Sequence, residues 1–390
     1  MSSLIKKDSY LAEVAQVSDQ KLESKRIATL DGFRAIAILL VLGFHFFTLF
    51  LPPFTQSSYY PYGTQYSAIA PFKFGYLGVH FFFMISGFVI FMTLKKSGTY
   101  KIFLLKRFTR LWPALTVCSI ITFLFVMIVD HAKQFPGFHS HVQYFIPSLT
   151  FTEPRMWTRF FHFKTMDYID GVYWSLICEV KFYLLIGLFY FLNKTRFFRN
   201  WVVYVSIMFI LYILLITGSG FISASFSQNA LYYFRLIFFP QYLIFFTFGI
   251  YFFMLFSGDK PKAAFEILIV MMLIVQLWFL QNRMEDIFIG IFILLFVTFL
   301  YKPRWLKPLA SRYVTIVGLI SYPIYLLHEK IGVILITRFG TFFNRDNYVL
   351  AVIPTMIIIL TLSYLVHRTI ELPANSFLKK LVLRGTKAKV

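Results

Sequence analysis

Long apolar stretches, most of them about as long as a bilayer crossing, limit the folds open to this chain more than any other feature. A helix rising ~1.5 Å per residue needs about 20 residues to cross a hydrocarbon core ~30 Å thick. Of the 390 residues, 58% are hydrophobic and only 14% are charged. We therefore predict an all-α polytopic membrane protein, a bundle of about ten transmembrane helices. The predicted spans are residues 31–51, 75–94, 111–130, 171–192, 200–218, 234–256, 263–281, 286–301, 313–336 and 348–369.

Basic residues outnumber acidic ones by 38 to 17, which gives a net charge of +21. Such an excess is typical of nucleic-acid-binding proteins, but also of membrane proteins whose cytoplasmic loops are rich in Lys and Arg. With the N-terminus placed in the cytoplasm, 26 of the 38 Lys and Arg residues fall on that side of the membrane and 9 on the outer side. This bias predicts an N-in, C-in topology, so nucleic acid is not an expected partner.

The same topology divides the chain into three parts. We predict a cytoplasmic N-terminal tail over residues 1–29, a transmembrane domain over 30–370 and a cytoplasmic C-terminal tail over 371–390. The first tail is polar and lacks the apolar core of a cleavable signal peptide. The first helix is therefore expected to insert the chain into the membrane.

The first predicted span contains two ionisable residues, Arg34 and His45. Ionisable groups are costly inside a bilayer and usually mark a functional site. Eleven residues of helix bring His45 to within about 20° of Arg34, on the same face, and separate the two by roughly 16 Å along the axis. A cation near one membrane surface and a base deep in the core suit a long anionic molecule whose reactive end reaches into the membrane.

Two more ionisable residues are predicted at nearly the depth of His45. Counted from the predicted helix ends, His45, Glu179 and His328 lie about 9, 12 and 8 Å below the outer surface. Ser86 and Tyr325 add hydroxyl groups on the second and ninth spans. Polar faces of this kind should point into the bundle and not towards lipid. The alternative is a buried structural role for each ionisable residue and simple helix packing around Ser86.

Arg107 and Arg110 follow a run of lysines after the second span, in a segment without acidic residues. Residues three apart share a helix face, and guanidinium groups bind phosphate through paired hydrogen bonds. The two arginines therefore predict a phosphate site at the cytoplasmic surface. The alternative is ordinary positive-inside bias with headgroup binding. Cys118 and Cys178 fall in apolar segments, where neither a disulfide nor a metal site is expected.

An ordered set of short motifs resembles the acyltransferase-3 group of integral membrane acyltransferases. The motifs are Asp31-Gly32-x-Arg34 with ten residues before His45, Gly78-Val79 followed by Phe82-Phe83-x-x-Ser86-Gly87-Phe88, Arg107-x-x-Arg110 followed by Trp112-Pro113, Trp174-Ser175-Leu176-x-x-Glu179-x-x-Phe182-Tyr183, Ser321-Tyr322-x-Ile324-Tyr325-Leu326-x-His328, and Glu371-x-Pro373. Each motif alone is weakly specific. Their order over nearly the whole chain makes the resemblance specific.

This resemblance implies ten core helices and a defined chemistry. It implies that acyl groups pass from cytoplasmic acyl-CoA, commonly acetyl-CoA, to hydroxyls of envelope sugars such as O-antigen or exopolysaccharide. The family's arginine–histidine pair falls on Arg34 and His45, and its Arg-x-x-Arg motif falls on Arg107 and Arg110. The implied location is the bacterial cytoplasmic (inner) membrane.

The resulting hypothesis is an O-acetyltransferase in which His45 is the central catalytic group. His45 acts as general base on the acceptor hydroxyl or first takes the acyl group itself, and both routes stay open. Glu179 is expected to orient His45 or to compensate its charge. Ser86, Tyr325 and His328 are candidate donors to the oxyanion that forms at the acyl carbonyl.

Substrates and partners follow from the same hypothesis. Arg34, Arg107 and Arg110 are expected to hold acetyl-CoA, the donor substrate, with no permanently bound cofactor and no metal. A carbohydrate or glycolipid is the expected acceptor, and membrane lipids surround the bundle. The rival hypothesis is a transporter or exporter of a polar envelope precursor, because intramembrane His and Glu residues also form proton relays.

Overall fold

The computed structural model describes residues 28–52, 54–55, 59–130, 133–135, 142–217, 224–259, 261–280, 282–343 and 345–377. Within these ranges the regular secondary structure is helical, and no strand is present. The predicted all-α membrane architecture is thereby confirmed. Both predicted tails lie mostly outside the described residues, so their boundaries and the N-in, C-in topology stay predictions.

The main helices of the bundle are numbered in chain order. They are α1 (Ala28–Leu49), α2 (Gly75–Lys95), α3 (Tyr100–Ile128), α4 (Gly171–Leu192), α5 (Phe197–Thr217), α6 (Ala224–Phe238), α7 (Pro240–Phe256), α8 (Ala263–Leu280), α9 (Arg283–Tyr301), α10 (Arg312–Leu319), α11 (Ser321–Gly340) and α12 (Asn347–Phe377). Shorter helical segments are Ala70–Lys73, Val142–Tyr144, Phe145–Thr150, Pro154–Phe160 and Pro303–Ala310.

The described part of the chain contains eight helices long and apolar enough to cross a membrane, and the bent pair α10–α11 makes a ninth. α6 and α7 together supply one of these crossings, Gln228–Phe256. The remaining predicted span, 263–281, falls on α8, whose described apolar part, Ala263–Leu277, is shorter. Every predicted span therefore coincides with a helix, and the chain is a multi-pass membrane protein.

α2 and α7 cross with their main chains in contact. Gly87 of α2 faces Gly249 of α7, and a Cβ atom on either glycine would overlap main-chain atoms of the other helix. Small residues at such a crossing let membrane helices approach closely. Phe83 and Phe246 stack beside the crossing with ring centroids 4.6 Å apart. The crossing fixes α2, which carries part of the wall of the candidate site.

α1 ends in a π-helical turn, His45–Leu49. Such turns leave main-chain carbonyls without their usual helical partners, and they are frequent at functional sites. The hydroxyl of Tyr60 donates to the carbonyl of His45 at 2.6 Å, and that of Tyr62 donates to the carbonyl of Phe46. The segment that follows α1 therefore holds the turn in place.

The span predicted over 313–336 is broken. α10 and α11 meet at an angle of 66°. Pro323 accounts for the break, because a proline cannot donate to the carbonyl four residues earlier, that of Leu319, and its ring would clash with that carbonyl in a continuous helix. The break leaves Ser321 as the first residue of α11, in the wall of a cavity.

Candidate active site

Two adjoining cavities lie within the bundle, one near the start of α1 and one near its end. The inner cavity has a volume of about 80 Å³ and is lined by residues that include Arg34 and Glu179. The outer cavity has a volume of about 600 Å³ and is lined by residues that include His45. Val79 and Tyr325 belong to both walls, so the two cavities meet at these side chains.

His45 lies in the π-helical turn of α1, in the wall of the outer cavity. Its Nδ1 is 2.8 Å from the carbonyl oxygen of Val41. Because a carbonyl only accepts, Nδ1 carries a proton, and Nε2 of the neutral ring keeps its lone pair. Nε2 lies 3.4 Å from Oε2 of Glu329. His45 is thus placed as a base beside a carboxylate that stabilises the protonated ring.

Glu329 of α11 is held in place by the segment that begins α4. Its carboxylate lies against the main chain at Gly171, where a Cβ atom would come within 2.5 Å of Oε1. The next residue of α11 is tied to the same segment, since the N–H of Lys330 donates to Asp170 at 3.3 Å. The ammonium of Lys330 donates to the carbonyl of Ile169 at 2.9 Å. These bonds fix the register between α11 and the start of α4.

Glu329 is a site residue that the sequence prediction omits. One signal in the sequence points to it. His328, Glu329 and Lys330 are consecutive ionisable residues in an apolar span, and successive helical residues point about 100° apart. The three side chains cannot share one face, so more than one neighbouring element must receive them. In the structure they contact α1 and the start of α4.

His328 lies behind His45, as the similar predicted depths of the two residues imply. The ring centroids are 4.6 Å apart, and the ring planes are nearly perpendicular at 85°. Nδ1 of His328 is 2.9 Å from the carbonyl oxygen of Tyr325, and the side chain is fully buried. Its Nε2 has no hydrogen-bond partner within the described ranges. His328 supports the ring of His45, and its role as an oxyanion donor stays a prediction.

Glu179 belongs to the inner cavity and does not pair with His45. Its Oε1 accepts hydrogen bonds from the hydroxyls of Ser86 and Tyr183, each at 2.5 Å. Both ring nitrogens of His45 face other groups, and the carboxylate beside Nε2 is that of Glu329. The expectation that Glu179 orients His45 is therefore corrected. Ser86, predicted as an oxyanion donor, is here a donor to Glu179.

The depth predicted for Glu179 from the sequence differs from its position in the structure by about one helical turn. Ser175, one turn nearer the start of α4, lies 2.8 Å from the hydroxyl of Tyr325, at the junction of the two cavities. Ser175, Glu179 and Tyr183 do share one face of α4, as their spacing predicts. Depths counted from sequence depend on helix ends that are uncertain by a few residues, and one turn is enough to move a side chain into the next cavity.

Arg34 and Arg110 line the inner cavity from α1 and α3. Nη1 of Arg34 is 3.8 Å from Oδ1 of Asp31, one turn earlier on α1. An ion pair at this distance is weak and leaves hydrogen-bond donors of the guanidinium for a ligand. Two guanidinium groups around one small cavity suit a phosphate or another anion. Binding of CoA by these residues stays a prediction.

Arg107 does not line the inner cavity, although the sequence predicts that it acts together with Arg110. It is 7% exposed, its Nη2 donates to Thr93 at 3.0 Å, and its guanidinium lies 5.9 Å from the ring centroid of Tyr183. Residues three apart on a helix still point about 60° apart, which is enough to bury one and leave the other at a cavity. Arg107 packs against Tyr183 here, and its contact with CoA stays a prediction.

Tyr325 is the best placed of the predicted oxyanion donors. Its side chain lies in both cavity walls, and its hydroxyl is 2.8 Å from Ser175 Oγ and 3.1 Å from the carbonyl oxygen of Val172. Ser86, in contrast, lines only the inner cavity. A hydroxyl at the junction of the cavities is positioned to meet a carbonyl that lies between them.

The two cysteines lie away from both cavities. Cys118 and Cys178 are buried and unpaired as thiols. In the part of the chain that the structure describes, no group of three or more His, Cys, Asp or Glu side chains could hold a metal ion.

Comparison with known proteins assigns the chain to a family. Residues 27–368 match the family described as acyltransferase domain, acyltransferase-3 type. The chain belongs to the acyltransferase-3 family. It is also 31% identical over 115 residues to Nodulation protein 10 of Rhizobium leguminosarum bv. viciae, a match that covers 27% of this chain and 31% of that protein. The match thus spans about a third of that relative's length. No solved structure matches this chain significantly.

Several residues of the family motifs lie around the two cavities. Arg34, Ser86, Arg110 and Glu179 line the inner cavity, and His45 lines the outer one. The family that the motifs predict is confirmed. The outer cavity holds a base, a carboxylate and a hydroxyl, which are groups that acyl transfer needs.

Proposed function

We propose that this acyltransferase moves an acetyl group from cytoplasmic acetyl-CoA to a hydroxyl of an envelope carbohydrate, such as O-antigen or exopolysaccharide, in the bacterial cytoplasmic membrane. The observation that carries the proposal is the pair of adjoining cavities, one lined by Arg34 and Arg110 and the other by His45. Roughly 16 Å of helix separates Arg34 from His45. The pantetheine arm of CoA is long enough to cover this distance.

His45 supplies the base in the proposed reaction. Its Nε2 takes the proton of the acceptor hydroxyl while the hydroxyl oxygen attacks the thioester carbonyl. Collapse of the tetrahedral intermediate breaks the carbon–sulfur bond, and the leaving CoA thiolate takes the proton from the imidazolium. Glu329 stabilises that imidazolium from 3.4 Å, and the Tyr325 hydroxyl, which donates to the carbonyl of Val172 in the structure, turns its proton to the oxyanion. The other route passes the acetyl group first to Nε2 and then to the hydroxyl.

A transporter of a polar envelope precursor is the competing proposal, and family membership favours the enzyme. Membranes that contain the chain, incubated with acetyl-labelled acetyl-CoA, separate the two. We expect release of free CoA and label in the envelope glycan. Movement of a glycan precursor without thioester cleavage would support the transporter instead. Mass spectrometry of envelope glycans with and without the gene should show the loss of an acetyl group.

Donor binding can be tested at the arginines of the inner cavity. Replacement of Arg34 and Arg110 together by glutamine is expected to raise the KM for acetyl-CoA at least tenfold, with a smaller change in kcat. The reason is that charge-assisted bonds to phosphate, each worth about 1.5–3 kcal/mol, are lost from the bound state. Arg196→Gln, which removes an exposed charge between α4 and α5, is the matched control. A KM in the double variant within twofold of the control would contradict the assignment.

A further inference from the structure

The wall of the outer cavity combines aromatic rings with side-chain amides. Trp174 and Tyr242 contact each other, with ring centroids 5.3 Å apart and planes inclined by 36°. Gln241 and Gln276 line the same cavity. Oε1 of Gln241 is buried and has no hydrogen-bond partner among the described residues. An unpaired buried acceptor is costly, so a ligand that donates a hydroxyl to it would be stabilised.

Flat rings beside amides suit a ligand with two kinds of surface. The C–H faces of a sugar ring pack on aromatic rings, and its hydroxyls both donate to and accept from amides. A volume of about 600 Å³ lies within the range of small-molecule sites. The outer cavity therefore has the shape and chemistry of an acceptor site for a hydroxylated ring next to His45.

The charge of this wall adds a restriction. Among the described residues that line the cavity there are two glutamates and two histidines, and none is Lys or Arg. Glu285 accepts a hydrogen bond from Tyr76 at 2.5 Å and lies in the first turn of α9, where the helix dipole favours a negative charge. Arg235 donates to the hydroxyl of Tyr212 at 3.0 Å but is not part of the wall.

We infer that the outer cavity binds the acceptor as an uncharged or amino-substituted sugar ring and rejects acidic sugars. The inference rests on the proposed function, because it places the acceptor in the cavity that contains His45. A carboxylate brought into this cavity would lose hydration near Glu285 and Glu329, with no Lys or Arg among the lining residues to compensate it. Like charges repel more strongly in such a site than in water.

Matched sugar probes test the inference. Methyl β-D-glucoside and methyl β-D-glucuronide differ only in the replacement of one hydroxymethyl group by a carboxylate. Binding to the full chain in zwitterionic nanodiscs is followed by tryptophan fluorescence, and Trp174→Phe identifies the part of the signal that comes from the cavity. We expect the Kd of the glucuronide to exceed that of the glucoside at least tenfold, which corresponds to about 1.4 kcal/mol.

Two variants of neighbouring carboxylates make the test specific to the wall. Glu285→Gln is expected to reduce the ratio of the two Kd values at least threefold. Asp286→Asn removes the same charge from the adjacent residue of α9, which does not line the cavity, and should leave the ratio within twofold of wild type.

Three outcomes would overturn the inference: equal binding of both probes, no binding of the glucoside, or an unchanged ratio in Glu285→Gln. Binding is measured without acetyl-CoA, so its result does not depend on turnover. A wild-type chain that shows the expected ratio but transfers no acetyl group would contradict the proposed function and leave this inference supported.

Discussion

Replacement of His45 by alanine is expected to lower the rate of acetyl transfer at least a hundredfold while the fold is kept. A positioned general base contributes about 10²- to 10⁴-fold to a rate, and a group that also carries the acyl intermediate contributes no less. The side chain lies in a cavity wall, so its removal enlarges a cavity that already exists. Transfer from labelled acetyl-CoA by the purified variant in nanodiscs measures the effect, with thermal unfolding as the check on folding. A rate within tenfold of wild type would remove His45 from the mechanism.

Variants of the two candidate carboxylates should differ in their effects on kcat and KM in the same assay. Glu329→Gln keeps the volume beside His45 but removes the charge that stabilises the imidazolium, so we expect kcat to fall about 10- to 100-fold. Glu179→Gln changes a group of the inner cavity, held by Ser86 and Tyr183, and should act mainly on the KM for acetyl-CoA. If kcat falls in Glu179→Gln and not in Glu329→Gln, the sequence-based assignment is right and the structural one is wrong.

Replacement of Gly249 by alanine is expected to destabilise the bundle strongly. A Cβ atom at this position would overlap the carbonyl oxygen of Met84 and approach the main-chain nitrogen of Phe88 within 2.7 Å. Both are main-chain atoms of α2, so no side chain can move aside. Overpacking of this kind costs about 3 kcal/mol or more. The fraction of monodisperse protein that survives heating in detergent measures the loss.

Gly290→Ala is the matched control for that variant. Gly290 lies inside α9, and a Cβ atom there has no atom within 4 Å outside the helix's own turns. Alanine is a better helix former than glycine by about 1 kcal/mol, so this variant should be as stable as wild type or slightly more. Equal thermal survival of the two variants would mean that α2 and α7 do not cross at Gly87 and Gly249.

The positions of the helices could be predicted because the bilayer imposes a length. About 20 apolar residues are needed for each crossing, and the charge bias between alternate loops checks the count. Length and hydropathy do not predict the break between α10 and α11, because the apolar stretch continues across it without change. Pro323 gives a local reason for the break, but prolines are also tolerated inside membrane helices. The sequence alone therefore does not decide between a kink and two helices.

The site was predictable where its geometry is confined to one helix. The shared face of Ser175, Glu179 and Tyr183 follows from helical spacing, and all three residues line one cavity. The pairing of His45 with Glu329 depends on the register between α1 and α11, which is set by contacts such as that of the Glu329 carboxylate with Gly171. Such contacts join residues far apart in sequence, and no local pattern encodes them.

The polar wall of the outer cavity was missed for a related reason. Gln241, Gln276 and Glu285 are single polar residues on three different helices or helix ends. Each of them alone is typical of an interfacial or packing residue in a membrane helix. Only their convergence next to His45 distinguishes them. His80 lines the same wall.

The central claim is that donor and acceptor enter opposite ends of one path through the bundle. Proteoliposomes with envelope glycan trapped in the lumen and labelled acetyl-CoA only outside test this claim directly. We expect the trapped glycan to acquire label while the lumen receives no acetyl-CoA, and we expect Arg34→Gln with Arg110→Gln to reduce that labelling at least tenfold at low acetyl-CoA concentration. Labelling that occurs only when glycan and acetyl-CoA share one side of the membrane would contradict the path.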